Sequence, residues 1–477
     1  MSDTKALLRH SRNYLFAQIA TKALTFISIP FYTRLLSVKD FGIVQVFLAT
    51  VGIASVILTL NTEVAIGRYY YERKDDNDFK DFVGTSIVLV SGIFILMSLA
   101  LILFLPMLSN YLSFSKLLTL SLIPISLYWI TNSVFTQIYS VLLQSKKIAL
   151  VTSVQTYLAF FLSVVAIILI PRDKYYGQVL GTIVAMILLW QYIVRQIKPY
   201  CNFHIRKKHI KYILSYSLPY LPYTLSGIII VQFGRIITSR YGGFELAGTY
   251  SFSASIAQIM LVVISVCHSA WNPYYFQYMT NKDYLSIDKD YSLIWESTLA
   301  ISLGLCAFGN EIGFILGKKE YYSTLYLIPY FVLGYVFYQW AFVYMRNTGY
   351  AKKVIWNAFS VISSGIINSV LGIILMKKYG TIGVAVSFIV SYFIMLVTSW
   401  AINKWILKAY APHINQFLKP FFSWLLFWFA CIMMNASFHQ TNLYVELFKV
   451  LLCLVGFFII MRNSIKRVTL YIRNNLL

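Results

Sequence analysis

Long runs of apolar residues, each of about 20 residues, recur along the chain and decide what it can fold into. A run of that length crosses about 30 Å of hydrocarbon as an α-helix. The runs do not alternate apolar and polar residues, as the strands of a membrane β-barrel do. Because 59% of the 477 residues are hydrophobic and only 12% are charged, we predict an all-α membrane protein.

The hydrophobic pattern predicts about fourteen transmembrane helices. Their connections are short, and even the longest, near 195–211 and 277–291, are too small to fold as domains. The predicted spans lie near 14–36, 41–69, 82–105, 117–143, 149–170, 177–195, 213–238, 246–276, 292–316, 323–345, 354–376, 381–403, 417–435 and 442–461.

Lysine and arginine are distributed unevenly between alternate connections. With the amino terminus inside, the segments on its side hold 27 of the 40 basic residues, and the opposite segments hold 10. Cytoplasmic loops retain positive charge, so both termini are predicted to be cytoplasmic. The net charge of +23 therefore reflects basic residues in the connections between apolar runs. They do not lie on one soluble face, so the charge does not indicate a nucleic-acid partner.

Three sequence landmarks recur at nearly one offset, between 202 and 206 positions. The matched segments are Arg34 to Gly42 with Arg240 to Gly248, Lys146-Lys147 with Lys352-Lys353, and Tyr176-Gly177 and Gly181 with Tyr379-Gly380 and Gly383. A shared offset at the same place in each block of six spans indicates a duplicated bundle.

This repeat predicts two parallel six-helix lobes, because an even number of spans returns the chain to its starting side. We expect an N-terminal lobe over 1–200 and a C-terminal lobe over 201–410. The helix pair in 411–477 has no counterpart in the repeat.

Two charged residues fall well inside predicted spans, where insertion costs roughly 2.5–3.5 kcal/mol and a functional role is the default hypothesis. Lys22 lies about 12 Å into the first span, too deep for easy snorkelling. We expect it to bind substrate, and the alternative is a structural pair with an interior acid. Glu63 is typical of a site coupled to a proton or sodium gradient. Its structural alternative is a pair with Lys22.

Three arginines are further candidates for substrate binding. Arg235 is favoured slightly as a cavity residue, although snorkelling to the outer interface is an alternative. Arg34 and Arg68 lie at the ends of spans, where anchoring at the interface competes with ligand contact.

Other polar motifs give no sign of enzyme chemistry. The Asp75-Asp76-Asn77-Asp78 loop contains an acid-x-acid pattern, but without a glycine-rich phosphate loop we expect a solvated charged turn. The five cysteines are scattered singly, which indicates neither a disulfide framework nor a metal site. We predict a transporter without a cofactor.

Several motifs together resemble the Wzx-type flippases of O-antigen and capsule oligosaccharides, in the polysaccharide exporter branch of the multidrug/oligosaccharidyl-lipid/polysaccharide exporter superfamily. The segment 217–227, followed by Gly234-Arg235 and 247–251, looks like the start of that family's second lobe. The segment 30–42 resembles the opening of the first lobe, and 270–273 also fits. One departure is that no acidic residue precedes Arg235.

The resemblance implies two V-shaped lobes that give alternating access to a central cavity in the bacterial cytoplasmic membrane. The implied substrate is an oligosaccharide linked to undecaprenyl diphosphate, moved from the inner to the outer leaflet for polysaccharide biosynthesis. A polymerase and a chain-length regulator are the implied partners besides membrane lipids. By resemblance to lipid II flippases, residues 417–461 are assigned a groove for the polyprenyl tail.

Three alternatives stay open at this point. A lipid II flippase also needs a cationic cavity, whereas a multidrug exporter of the same superfamily would favour an acidic one. An O-antigen polymerase or ligase generally has a sizeable outer loop, and the outer loops here are short.

Overall fold

The chain is built from helices joined by short turns. The computed structural model describes residues 24, 26–437, 443–462 and 464–466. Within these ranges every regular element is helical. The prediction of an all-α protein is therefore confirmed.

The described chain forms two compact units, Met1–Gly248 and Thr249–Leu477. Residues 26–35 of the first unit are helical. The α-helices that follow in this unit are α1 Val38–Thr59, α2 Ala65–Tyr69, α3 Asp76–Leu103, α4 Leu105–Leu112, α5 Lys116–Leu120, α6 Leu122–Val141, α7 Ser145–Leu169, α8 Tyr175–Ile197 and the first part of α9 Lys207–Ala257.

The second unit continues with longer helices. They are α10 Ile259–Asn281, α11 Tyr284–Leu316, α12 Ile328–Tyr350, α13 Ile355–Ala401, α14 Ile414–Ser437 and α15 Leu443–Ile460. A 3₁₀ segment, Lys319–Leu327, leads into α12, and a π-helical turn, Ile402–Leu407, ends α13.

Ten stretches of the described chain are long and apolar enough to cross a membrane. Two of them, Lys207–Asn281 and Ile355–Leu407, are much longer than one crossing requires. They are broken where Gly243 and Gly380 adopt φ values of 77° and 62°, a backbone conformation that only glycine takes without strain. Each long stretch therefore contains two of the predicted apolar runs. The first predicted span, near 14–36, lies outside the described residues at 14–23 and 25.

Close packing of α7 against α8 depends on two glycines one helical turn apart. A Cβ on Gly177 would lie 2.7 Å from the Ile167 backbone, and one on Gly181 would overlap the backbone of Ser163. The Ser163 hydroxyl donates to the carbonyl oxygen of Gln178 at 3.0 Å. Small residues at this spacing let two helices approach closely in lipid, where packing rather than the hydrophobic effect drives association.

Two glycines of the sequence repeat meet in the first unit. A Cβ on Gly248 would lie 3.2 Å from the backbone nitrogen of Gly42, and a Cβ on Gly42 would overlap the Phe244 carbonyl. Along the chain, the boundary between the compact units falls between Gly248 and Thr249. The lobe boundaries at 200 and 410 stay predictions.

Candidate functional site

A break in the helical backbone follows α1, inside the predicted span 41–69. Leu60 and Asn61 have φ values of 48° and 58°, which non-glycine residues adopt only where surrounding contacts hold them. Asn61 Nδ2 donates to Thr224 Oγ1 on α9 at 3.1 Å, and Thr62 Oγ1 donates to the Thr59 carbonyl at 3.0 Å. These bonds satisfy polar groups that the break frees in an apolar setting. The predicted span is therefore two helical pieces rather than one.

Glu63 lies in the short 3₁₀ turn just after this break. Its side chain is buried, with 7% exposure, and the Ser133 and Thr59 side chains lie beside the carboxyl group. Within the described residues its Oε2 has no hydrogen-bond partner, and no lysine or arginine forms an ion pair with it. A buried acid without a cation gains or loses a proton readily when its surroundings change.

Arg235 is a buried cation on α9, with 5% exposure. Its Nη1 donates to the side-chain oxygen of Gln232, three residues earlier on the same helix. Arginine carries its charge on a planar fork of N–H groups, a geometry that suits an oxyanion.

The two arginines at span ends differ from Arg235 because they are exposed. Arg34 lies near the end of the helical segment 26–35. Arg68 Nε pairs with Glu72 Oε1 at 2.9 Å, and Tyr212 donates to the other oxygen of Glu72 at 2.9 Å. The hydrogen bonds from Arg68 and Tyr212 lower the pKa of Glu72. In this conformation the charge of Arg68 is balanced by Glu72, not left for a ligand.

Lys22, the deepest predicted cation, lies outside the described residues. Substrate binding by Lys22 and ion coupling by Glu63 stay predictions, as does the alternative in which the two residues form a pair.

The acidic loop before α3 is only partly the solvated turn that its sequence predicts. Asp75 and Asp76 are exposed, and Asp75 caps α3 by accepting from the Asp78 amide at 2.7 Å. Asp78 is buried, with 4% exposure, and pairs with Lys208 Nζ at 2.9 Å. Tyr69 also donates to Asp78 at 2.7 Å. For Asp78 the prediction of a solvated residue is wrong, because the segment leading into α9 covers it.

Asp81, one turn further along α3, extends this network. It pairs with Arg206, and the backbone amide of Asn202 donates to the Lys80 carbonyl at 3.0 Å. A Cβ on Gly84 would overlap the Asn202 carbonyl. The cluster ties the connection between α8 and α9 to the start of α3, so its role is structural.

The second unit contains buried charges to which the sequence analysis gave no functional role. Lys449 on α15, with 5% exposure, pairs with Glu311 on α11 and lies 3.9 Å from Glu446. Arg346, with 7% exposure, lies in the last two turns of α12. Arg346 falls just past the end of the predicted span 323–345, so from sequence it is assigned to the loop that follows. Counting the helical turn beyond the apolar run would have found it.

Metal chemistry has no support in the described part of the chain, where no cluster of three or more histidine, cysteine, aspartate and glutamate residues could hold an ion.

Comparison with solved structures identifies the fold. The lipid II flippase MurJ, in an inward closed conformation, aligns with a TM-score of 0.72 and 16% identity, covering 96% of this chain and 100% of MurJ. A multidrug resistance MATE family transporter of the MOP superfamily, in an inward-facing conformation, aligns with a TM-score of 0.66 and 12% identity, covering 82% and 94% of the two chains. The protein is thus a multi-pass membrane protein with the fold of these transporters.

Sequence comparison then gives the family. The model described as "Polysaccharide biosynthesis protein" matches residues 7–279, more than half of the chain, so the chain belongs to that family. A curated Lsg locus protein of Haemophilus influenzae is 22% identical over 357 residues, which cover 68% of this chain and 83% of that protein. The family and fold are those of transporters, and the prediction of a transporter instead of an enzyme is confirmed.

Proposed function

We propose that the protein is a flippase that moves oligosaccharides linked to undecaprenyl diphosphate from the inner to the outer leaflet of the bacterial cytoplasmic membrane. The observation that carries the proposal is the polysaccharide biosynthesis family match over 7–279, joined to a fold shared along its whole length with a lipid II flippase. The family indicates the sugar product, and the fold indicates movement of a lipid-linked precursor.

The charges of the chain support an anionic substrate. A diphosphate is recognised by cations, and an arginine presents its charge and its N–H groups in a planar geometry that matches phosphate oxygens. Arg235 is buried and hydrogen-bonded to a neutral amide. Arg235 and Lys22 are the proposed primary ligands of the diphosphate or of acidic sugars, and Arg34 and Arg68 are secondary ligands recruited at the interfaces.

Transport by alternating access also requires a source of free energy. Glu63 is the proposed coupling residue for a proton or sodium gradient, because it is buried beside a backbone break with one carboxyl oxygen open among the described residues. The break matters because a discontinuous helix can change its local geometry at modest cost and so alter the surroundings of the acid.

The proposed architecture is fourteen spans with both termini cytoplasmic, divided into lobes 1–200 and 201–410 and the helix pair 411–477. The positive charge of alternate connections and the packing of Gly42 against Gly248, which occupy matching positions of the repeat, support it. The helix pair is assigned the polyprenyl tail, which can stay in lipid. Reporter fusions after Leu477 and within 195–211 should both give a cytoplasmic signal; an external signal from either rejects this topology.

The test of function is complementation of a bacterium that lacks its own oligosaccharide flippase. We expect the protein to restore surface polysaccharide and to relieve the accumulation of single lipid-linked units in the inner leaflet. A polymerase would not relieve that accumulation. Failure to restore polysaccharide in strains with several different repeat units, with normal membrane abundance of the protein, would contradict the proposal.

A lipid II flippase is the second candidate, and the alignment over 100% of MurJ favours it specifically. Depletion of MurJ in a strain that expresses this protein separates the two. Growth without MurJ identifies lipid II as a substrate, whereas lysis with intact polysaccharide export supports the oligosaccharide.

A further inference from the structure

Arg346 is held in the second unit by aromatic rings and by one histidine. Its guanidinium carbon lies 4.7 Å from the ring centre of Trp271, 5.2 Å from that of Phe342 and 5.6 Å from that of Tyr275. Its Nη2 donates to the backbone oxygen of His268 at 2.7 Å and to the ring Nδ1 of His268 at 2.9 Å. Cation–π contacts and two neutral acceptors orient the guanidinium but leave its charge unbalanced.

No aspartate or glutamate of the described chain forms an ion pair with Arg346. Three acids of the same unit have other partners: Glu311 pairs with Lys449, Glu296 accepts from Ser292, and Asp288 accepts from Tyr410. A buried arginine is normally paired, because taking an uncompensated charge out of water costs several kcal/mol. The missing partner is a negative charge.

The unpartnered atoms around Arg346 are all hydrogen-bond donors. Within the described residues, four buried nitrogen atoms donate to no partner: Arg346 Nε and Nη1, Trp271 Nε1 and Gln339 Nε2. His268 Nε2 faces the Gln339 side-chain oxygen at 2.7 Å, which directs the Gln339 amide nitrogen away from the histidine. Buried donors without acceptors are rare. Here Arg346 contacts both Trp271 and His268, and His268 contacts Gln339, so the unpartnered donors belong to one connected cluster and call for an acceptor-rich ligand.

We infer that Arg346, Trp271 and Gln339 form a binding site for an oxyanion, a phosphate or carboxylate group, within the second unit. Such a group carries only acceptors when ionised and matches the planar fork of arginine better than a halide does. Water would satisfy the donors but not the charge. The site uses none of the residues Lys22, Arg235, Arg34 and Arg68, and the inference does not rest on the proposed transport function.

The experiment is equilibrium dialysis of the full-length protein in lipid nanodiscs against radiolabelled inorganic phosphate at constant ionic strength. Glucuronate, glucose and chloride serve as competitors. We expect saturable phosphate binding that glucuronate displaces and glucose does not. Displacement by chloride as effective as that by glucuronate would overturn the oxyanion assignment, and the absence of saturable binding to the wild-type protein would overturn the site.

Variants then locate the binding. Arg346→Gln should weaken affinity by roughly tenfold to hundredfold, the effect of losing a charge-assisted hydrogen bond, and Trp271→Phe by a smaller factor. Lys404→Gln is the matched control, because Lys404 lies 5.0 Å over the Trp400 ring but is exposed. Unchanged affinity in Arg346→Gln would place the anion elsewhere and reject the site. If Arg346→Gln does not fold, phosphate affinity is measured on Arg346→Lys and Trp271→Phe instead. Unchanged affinity in both of these variants would reject the site.

The oxyanion could belong to the transported molecule or be a free cellular anion, and the two sources predict different results. An acidic group on the transported molecule predicts that glucuronate competes with phosphate at similar concentrations and that Arg346→Gln impairs export of acidic repeat units more than of neutral ones. A free cellular anion predicts preference for phosphate and equal effects on both kinds of unit. Loss of complementation with intact phosphate binding would reject the flippase and leave this site standing.

Discussion

Replacing Glu63 by glutamine tests whether this buried acid couples transport to an ion gradient. Glutamine has the same size as a protonated glutamate but cannot release a proton or bind sodium with a negative charge. We expect Glu63→Gln to remain abundant in the membrane and to lose gradient-dependent transport.

The structure sets the stability effect to expect. Glu63 is 7% exposed, and in the described chain its neighbours are hydroxyl groups of Ser133 and Thr59, not cations. If the acid is protonated at rest, the amide keeps its volume and can bond the same hydroxyls, so the change costs at most about 1 kcal/mol. If the acid is ionised and paired with Lys22, removing its charge strands a buried cation and costs about 3–5 kcal/mol.

The assay measures two quantities on the same variant. The first is the amount and thermal stability of the protein extracted from membranes; the second is uptake of a lipid-linked oligosaccharide into vesicles with and without an imposed proton or sodium gradient. Glu245→Gln is the control, because Glu245 is an exposed acid of the same unit and should change neither quantity.

Two results would refute this reasoning about Glu63. Transport at the wild-type rate with an unchanged response to the gradient means that Glu63 carries no coupling charge. Loss of the protein from the membrane means that Glu63 is half of a structural pair, and the coupling residue must be sought elsewhere.

Three further predictions concern other charged residues. Lys22→Ala should abolish flipping in a folded protein while Lys22→Arg keeps part of it, measured by surface polysaccharide beside membrane abundance; full activity of Lys22→Ala contradicts a role in binding. Asp78→Asn should lower the free energy of unfolding by about 1–3 kcal/mol in detergent melts, because its basic partners are half exposed and gain little from the pair. Lys449→Met should cost about 3–5 kcal/mol, since it leaves Glu311, whose side chain is 20% exposed, without its cation, and adding Glu311→Gln should recover most of that loss; a double variant no more stable than Lys449→Met would show that the unpaired carboxylate is not the cause of the loss.

The helices were predictable from sequence because each depends mainly on its own residues. An apolar run of about 20 residues must form backbone hydrogen bonds within itself in lipid, so its length and composition almost fix its structure. The kinks at Gly243 and Gly380 fall between predicted apolar runs, where glycine permits the positive φ that the break in the helix requires.

The break at Leu60 and Asn61 was not predictable, because neither residue is glycine and the conformation depends on Thr224, 163 positions away along the chain. The burial of Asp78 depends in the same way on Lys208 and Tyr69. A charge pattern shows that an acid and a base exist, but only the tertiary structure decides which of them meet.

One buried charge in each compact unit gives the proposed mechanism a separate test. The first unit holds an acid, Glu63, with an open oxygen, and the second holds a base, Arg346, with open N–H groups, each judged within the described residues. Burying either charge costs free energy. A mobile cation bound at Glu63, or a mobile anion bound at Arg346, would offset that cost.

If the two sites act independently, the losses of transport free energy caused by Glu63→Gln and Arg346→Gln should add. If binding of the anion and the coupling ion is linked through the alternation of access, the double variant should lose less than the sum, and phosphate affinity should depend on pH in the wild type but not in Glu63→Gln, because linkage is reciprocal. Additive losses with pH-independent affinity would show that the anion site does not take part in coupling.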